Sequence, residues 1–412
     1  MSELRSVDEQ RGAVLERVVP LEPVTLPLSR ARGRTLAEPV CAAVAIPVFD
    51  NSGMDGFAVR FADVARASAE RPARLRVVAD LPAGTELDPP LGAREAARIM
   101  TGAPVPTAAD TVVPFEDTAG GLADSLGEIE VQQAPRREGA HVRRRGEDAQ
   151  PGDVVVEAGI RLGPLSLAAA AAAGVAQVTV RRAPRVAVVS TGSELVPPGA
   201  PLRRGQIPES NSEQLAHLVA DADAELVLRR TVGDEGDGPV RALEQARAAG
   251  ADIVIFTGGV SAGAYEPVKN TLGRWMTFTR VAMQPGKPQG FGATDDGILL
   301  FGLPGNPVSA AVSFEVFVRP ALLAVQGRRE LDRPRIVLPA AAPWRTPAGR
   351  RQYLPVAIDR SDPARWAVRP ANHGGSASHF AGGLARADGY AVVPAEVEQL
   401  AVGDPVSVML MS

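Results

Sequence analysis

The rhythm of apolar and polar positions changes along this chain. Between residues 185 and 325, strand-like runs at 186–189, 225–231, 253–256 and 298–301 alternate with segments of helical spacing at 212–222, 239–250 and 308–325. The run centred on Ile253, Val254 and Ile255 has no polar alternation, as a strand buried on both faces requires. Strands alternating with helices close a mainly parallel sheet through crossovers, so this stretch predicts a doubly wound α/β domain.

The flanks differ. Residues 7–19 have helical spacing, with Ser6 and Glu9 in a capping-box arrangement. Pro20, Pro23 and Pro27 obstruct a second helix, and 36–46 reads as a connecting strand. Residues 48–59 are dense in turn formers. Short strands follow at 75–79, 97–100, 111–115, 128–132 and 154–157, with a mobile hairpin loop at 120–127. The Ala-rich stretch 165–173 predicts a packed helix ended by Gly174, then a strand at 176–180. Past a linker at 327–329, short strands return at 337–338, 353–358, 390–393 and 406–409, as in a small all-β module. There is no internal repeat.

Length and charge narrow the classes. A chain of 412 residues exceeds one ordinary core, so two to four domains are expected. Aromatic residues make up 4% and net charge is −4, while Arg143, Arg144 and Arg145 are followed at once by Glu147 and Asp148; this argues against nucleic acid as the main partner. The single cysteine, Cys41, excludes an intramolecular disulfide and a Cys-rich metal site and fits a reducing cytoplasm; it is expected as a small buried apolar residue. Residues 1–10 lack the apolar core of a signal peptide, and 165–180 is too short and too weakly hydrophobic to span a bilayer. The expectation is a cytoplasmic protein with no membrane or nucleic-acid partner.

The candidate chemistry gathers where predicted strands break. The 253–256 run ends in Thr257-Gly258-Gly259-Val260-Ser261-Ala262-Gly263, where glycines admit close approach of an anion to backbone N–H groups and the hydroxyls of Thr257 and Ser261 add donors. Such a turn alone is equally consistent with a tight strand-to-helix connection. A second loop, Gly302-Leu303-Pro304-Gly305-Asn306-Pro307-Val308-Ser309, adds weight. Asp234 follows a strand and reads as a functional carboxylate or a helix N-cap, and Glu194 as a functional acid or a first-turn helix acid. Asp55 reads as a placed carboxylate or an Asx-turn former before Gly56. Lys287, held in the stiff Pro285-Gly286-Lys287-Pro288 turn, is expected to contact an anion.

In order along the chain stand PVFDNSGMDGFAVR (47–60), RIMTGAPVP (98–106), VRRRGEDAQPG (142–152), STGSEL (190–195), GGVSAG (258–263), PGKP (285–288) and GLPGNPVSA (302–310). This set resembles the MoeA family of molybdopterin molybdenumtransferases, which includes the E domain of gephyrin. The resemblance implies a discontinuous connecting domain (1–46 with 142–180), a β-rich lobe (47–141), a molybdopterin-binding α/β domain (181–327) and a C-terminal β-barrel-like domain (328–412). It implies an elongated homodimer with the β-rich lobe of one subunit facing the central and C-terminal domains of the other. The implied reaction is Mg²⁺-dependent insertion of molybdate into adenylylated molybdopterin, releasing AMP and molybdenum cofactor. Molybdopterin adenylyltransferase and molybdoenzymes or their chaperones are the implied partners.

Carried over residue by residue, Asp55, Thr101, Glu194, Asp234 and Lys287 are the catalytic set, and Asp234 with Glu266 the metal carboxylates. Gly258, Gly259, Ser261, Lys269, Pro304, Asn306, Pro307 and Ser309 form the pterin and nucleotide loops. Arg350 and Ser376 match molybdate positions, and Thr101, Arg143 and Asp148 match positions in the dimeric cleft. The chain departs from the family at Gln284, where many members have lysine, and at Ala264 and Glu266, where many have an acidic pair. These changes leave two readings, an active variant or a carrier or scaffold paralogue with little turnover. Stand-alone adenylyltransferases lack the β-rich N-terminal and C-terminal portions, and GGVSAG does not fit the dinucleotide fingerprint G-x-G-x-x-G.

Overall fold

A computed structural model describes residues 4–121, 125–261, 266–372 and 381–411. Its centre is a six-stranded sheet built from β1 (Arg185–Thr191), β2 (Glu225–Val232), β3 (Ile253–Thr257), β4 (Met276–Arg280), β5 (Pro288–Ala293) and β6 (Leu299–Leu303), in the order β2–β1–β3–β6–β5–β4. The first four strands are mutually parallel, while β5 and β4 run antiparallel at one edge. Every residue of β3 and β6 is buried, which is why their sequences carry no alternation.

Helices cover both faces. On one lie α1 (Asn211–Asp221) and the later α4 (Pro307–Ser313), with Leu215, Val219, Val308 and Val312 in the core. On the other lie α2 (Gly238–Ala248) and α3 (Pro267–Leu272), burying Ala242, Leu243, Val268 and Leu272. A fully buried leucine such as Leu215 contributes roughly 1.5–3 kcal/mol. The doubly wound expectation holds, with the antiparallel edge pair as the addition.

The helix expected at 308–325 is interrupted. After α4 comes a π-helical turn, Phe314–Val318, then a helix at Arg319–Val325. Pro320 has no N–H to give the preceding turn, so a wider turn is tolerated there. That turn carries Glu315, buried in an ion pair with Arg333 at 3.0 and 3.1 Å. Among the described residues Pro307–Val325 alone is long and apolar enough to cross a membrane, and it is 89% buried in the fold.

The C-terminal strands, Arg335–Pro339, Arg351–Asp359, Gly389–Val393 and Pro405–Leu410, form an antiparallel sheet. It stays an open half-barrel, because its last edge is taken by Met283–Gln284 of the central domain, parallel to Arg351 and Gln352. The presumed linker at 327–329 is pinned rather than loose. Asp223 accepts from Arg328 Nη2 at 2.5 Å and from Arg161 Nε and Nη2 at 2.6 and 2.7 Å.

At the N-terminus, the helix Val7–Leu15 has the expected capping box, with Ser6 Oγ 3.1 Å from Glu9 N and Glu9 Oε2 2.8 Å from Ser6 N, but it stops short of residue 19. Pro23–Pro27 pairs antiparallel with Gln177–Arg181, so segments far apart in sequence share one ribbon. The strand expected at 36–46 shrinks to Val40–Cys41, paired with Val154–Val156. Cys41 is exposed, not buried as expected: Val40 takes the inward side of this ribbon, and the period of two turns Cys41 outward. The Ala-rich helix runs Pro164–Ala172, ahead of Gly174 with φ +77°.

The β-rich lobe centres on a five-stranded sheet in the order Thr111–Pro114, Gly56–Val59, Glu95–Ile99, Ala73–Leu81, Glu128–Val131. Gly56 lies against Val113, where a Cβ would sit 2.0 Å from the carbonyl oxygen, so no other residue fits. The hairpin loop expected at 120–127 lies partly outside the described residues.

Candidate functional site

The carboxyl ends of β1, β3 and β6 open into a cleft of about 950 Å³. Ligands collect at this edge of an open parallel sheet because the loops there diverge around the point where strand order reverses. Gly258 continues from β3 with φ +89°, and its N–H donates to Leu303 O at 3.0 Å. A Cβ on Gly258 would sit 2.6 Å from Thr191 O, so both the backbone conformation and the close approach require glycine. Gly259 follows with φ +65°.

The second loop meets the first through side chains. Thr257 Oγ1 donates to Pro304 O at 3.1 Å, and Asn211 Nδ2 donates to Thr257 Oγ1 at 2.9 Å and to Gly305 O at 2.7 Å. Beneath them Glu209, also buried, accepts from Ser190 Oγ and from Ser212 N, both at 2.8 Å. The floor of the cleft is therefore an ordered polar network joining β1, the start of α1 and both glycine loops.

Of the expected residues, Gly258, Gly259 and Ser261 line the cleft from the first loop, and Pro304, Asn306, Pro307 and Ser309 from the second. Glu194, Asp234 and Glu266 line it as well. Asp234 is not an N-cap, a position that Asp237 takes; its Oδ2 accepts from Ser193 N at 2.9 Å and its own N–H donates to Ser193 Oγ at 3.1 Å. Glu194 lies in no helix but in the turn before the short strand Leu195–Val196. Glu266 is 8% exposed, and its Oε2 accepts from Ser261 N at 2.7 Å, shaping the first loop. Lys269 is exposed on α3 and does not line the cleft.

A cationic seam runs along the junction with the half-barrel. Gln284, Pro285, Gly286 and Pro288 line the cleft, and Lys287 is half-buried in that turn. Burial, then the charges of Arg280 and Arg350, hold the Lys287 ammonium below the usual lysine range. Arg350 reaches in from the half-barrel, its Nη1 donating to Gln284 Oε1 at 3.0 Å. Gln289, fully buried, anchors the turn through bonds to Gly286 O at 2.6 Å and Ser313 Oγ at 2.7 Å. Ser376 and Ala264 lie outside the described residues.

Asp55, Thr101, Arg143 and Asp148 do not line this cleft. Asp55 Oδ1 accepts from Thr101 Oγ1 at 2.7 Å and Thr101 N at 2.6 Å, and these bonds, the hydroxyl first, hold its carboxyl below the ordinary aspartate range. Arg143 pairs in register with Asn51, and Asp148 lines a separate cavity beside Ile46 and Asp153. Arg144 and Arg145 both bind Asp50, at 2.7 Å each, tying the 142–152 segment to the 47–60 segment.

Sequence reasoning missed Asn211 and Glu209, which line the cleft, and Gln289 and Ser193, which brace the lining residues Gly286 and Asp234. Asn211 and Ser193 stand beside turn and helix-start signals that account for such residues locally, so only the tertiary contacts mark them.

Whether these donors fit a divalent ion follows from the carboxylates. Among the described residues no three His, Cys, Asp or Glu side chains group to hold a metal. Asp234 and Glu194 do face one cleft, which fits a Mg²⁺ bound by one or two carboxylates together with ligand phosphate oxygens. Each of Asp234 and Glu266 has one oxygen engaged by a backbone N–H, but Glu266 is buried where Asp234 is half-exposed, so Glu266 fits less well.

The chain matches three family models: the MoeA N-terminal region (domain I and II) over residues 5–174, a probable molybdopterin binding domain over 187–324, and the MoeA C-terminal region (domain IV) over 337–411. It is 43% identical to molybdopterin molybdenumtransferase 2 of Mycobacterium tuberculosis, over 98% of this chain and 99% of that protein. It is 35% identical to the molybdopterin molybdenumtransferase of Haemophilus influenzae, over 80% of each. The crystal structure of the molybdopterin biosynthesis MoeA protein from Pyrococcus horikoshii superposes with a TM-score of 0.84 at 26% identity, covering 99% of this chain and 100% of that one.

Proposed function

The chain belongs to the MoeA family of molybdenum cofactor biosynthesis, and from that membership we propose that it inserts molybdate into adenylylated molybdopterin and releases AMP. The observation that carries this reading is the meeting at one cleft of two glycine loops with the 284–288 turn, the turn that carries Lys287 and whose Gln284 accepts from Arg350. The loops offer backbone N–H groups to phosphates, and the seam offers charge to an oxyanion. The substrate carries phosphates and molybdate is a tetrahedral dianion, so the two parts suit the two reactants.

In this reading Gly258, Gly259 and Ser261 hold the phosphates and Asn306 and Ser309 hold the second side of the substrate. Lys287 and Arg350 draw molybdate toward the pterin sulfurs, with Gln284 as a neutral partner for Arg350. Asp234 and Glu194 hold Mg²⁺, which supplies charge stabilisation to the phosphoanhydride when bound. Glu266 keeps the first loop open toward the ligand.

Asp55 and Thr101 stand outside the cleft of their own chain, and the reading has them delivered by a second subunit of a homodimer, with Arg143 and Asp148. An apolar surface on the connecting segments supports such an assembly: Leu165 of the Pro164–Ala172 helix is 87% exposed and Val154 49% exposed. A carboxylate kept ionised by Thr101 is suited to orient the water that opens the phosphoanhydride, accepting its hydrogen bond, rather than to take its proton.

The test is single-turnover conversion of adenylylated molybdopterin with Mg²⁺ and molybdate, following AMP release and active cofactor. Molybdate-dependent formation of both is expected. Tight nucleotide binding without turnover would replace this reading with that of a carrier.

A further inference from the structure

Of the carboxylates that line the cleft, Glu209 and Glu266 are buried, whereas Asp234 is half-exposed and Glu194 exposed. Asp234 and Glu194 stand on neighbouring loops. Strands β1 and β2 pair in register to their last residues, Thr191 opposite Val232, so the turns that follow emerge side by side. Three hydrogen bonds join these turns. Gly192 N donates to Val232 O at 3.0 Å, Ser193 N donates to Asp234 Oδ2 at 2.9 Å, and Asp234 N donates back to Ser193 Oγ at 3.1 Å. The reciprocal pair fixes both the backbone and the carboxyl of Asp234 from one residue. Gly192 acts on Glu194 by what it lacks: a Cβ there would overlap the Glu194 carboxyl group, with Cδ and Oε1 at 2.8 Å. Glycine therefore lets that carboxylate fold back over the turn.

The same contacts leave oxygens for a ligand. Asp234 Oδ2 is engaged by Ser193 N, while Asp234 Oδ1 and both carboxyl oxygens of Glu194 make no hydrogen bond or ion pair with the described residues. Among the described residues no third His, Cys, Asp or Glu joins them in a metal-holding group. A divalent ion would then take its protein ligands from these two side chains and the rest from phosphate oxygens and water. With only two carboxylates the orientation of each weighs heavily, and the partners that orient a ligand oxygen govern affinity. The geometry assigns Gly192 and Ser193 as positioning residues, which hold Glu194 and Asp234 as one pair facing the cleft for Mg²⁺. The assignment rests on the functional reading above and adds to it the residues that prepare the ion site before the ion arrives.

Mn²⁺ is the probe, since carboxylates suit it as they suit Mg²⁺ and the free ion has a paramagnetic resonance signal. The full-length protein is titrated with Mn²⁺ in the presence of AMP, following that signal, and separately with AMP in the presence of a chelator. Ser193→Ala removes the oxygen that receives Asp234 N and should weaken Mn²⁺ by about fivefold, the scale of one hydrogen bond. Ser193→Thr, which keeps the hydroxyl, should restore it. Gly192→Ala displaces the Glu194 carboxylate and should weaken Mn²⁺ by about tenfold, as losing an orienting partner does. It should add little in a Glu194→Gln background, where the group it displaces is already neutral. AMP affinity in chelator should stay unchanged in every variant, which also reports that the cleft is folded. Unchanged Mn²⁺ affinity in both alanine variants, full additivity of Gly192→Ala with Glu194→Gln, or a loss of AMP affinity in chelator equal to the loss of Mn²⁺ would each overturn the assignment. Failure of the wild type to bind AMP, or to take up Mn²⁺ beside it, would instead overturn the functional reading, and the assignment with it.

Discussion

The central cleft and the Asp55–Thr101 corner are built by different means. In the cleft the chemistry is mostly main chain: two glycine loops at the ends of buried parallel strands, with side chains that brace them. In the lobe it is a single carboxylate held by one hydroxyl and one N–H. A backbone site is complete within one chain because the sheet that forms it is local. A lone carboxylate becomes a site only against a surface that something else supplies.

The sharpest break of this contrast is complementation. Asp55→Ala should lower turnover by on the order of 10² or more while leaving AMP affinity intact, as expected for a group that orients the attacking water and does not hold the nucleotide. Asp234→Ala should also be inactive. Mixing the two variants after reversible dissociation should restore part of the activity if the two regions meet across subunits; a mixture as inactive as its components would show that they do not.

Next in size is Asp223, which joins connecting and central segments through Arg161 and Arg328. Asp223→Ala leaves the nearly buried Arg328 uncompensated, for a loss of about 3 kcal/mol in urea unfolding. Burial alone would raise the Asp223 carboxyl, but the two guanidiniums bring it below its ordinary value. A lowered folded pKa means that its contribution is in place above the unfolded value and is lost as pH falls through the folded one. The gap between wild type and variant should therefore be full at neutral pH and shrink below about pH 4.

The glycines separate the regions by kind. Gly258→Ala strains a positive φ and crowds Thr191, so nucleotide affinity should fall together with about 1–3 kcal/mol of stability. Gly56→Ala meets the Val113 carbonyl without any φ penalty, so the lobe should lose about 1–3 kcal/mol while AMP binding stays unchanged. Equal effects of the two on AMP binding would erase the distinction. The smallest expected effect is at Lys287: Lys287→Met should weaken molybdate by about tenfold, as one partly solvated charge allows. In the wild type, molybdate affinity should fall as pH rises through a lysine pKa that lies below the usual range.

The order of strands and helices from 185 to 325 was readable because buried parallel strands leave continuous apolar runs and glycines mark their ends. The motif residues that line the cleft were readable for the same reason, since Gly258 and Pro304 stand directly after β3 and β6. The interruption at Phe314–Val318 was missed because helical periodicity continues through it. Cys41 was misjudged because a two-residue strand is too short to show which side faces in.

What the sequence determined by itself, then, is local: which runs are buried, where they turn, and which turns admit an anion, all set by side-chain period and by glycine and proline chemistry. The tertiary structure decided what distant residues do to one another. It set Gln284 beside Arg350 by lending a central strand to the half-barrel edge, and it gave the Asn211 amide N–H groups a hydroxyl and a carbonyl to donate to while leaving its own oxygen unmet. It also held Asp55 apart from the cleft it is expected to serve. Hydrogen-bond completion and charge proximity depend on positions in space, and no spacing along a chain encodes them.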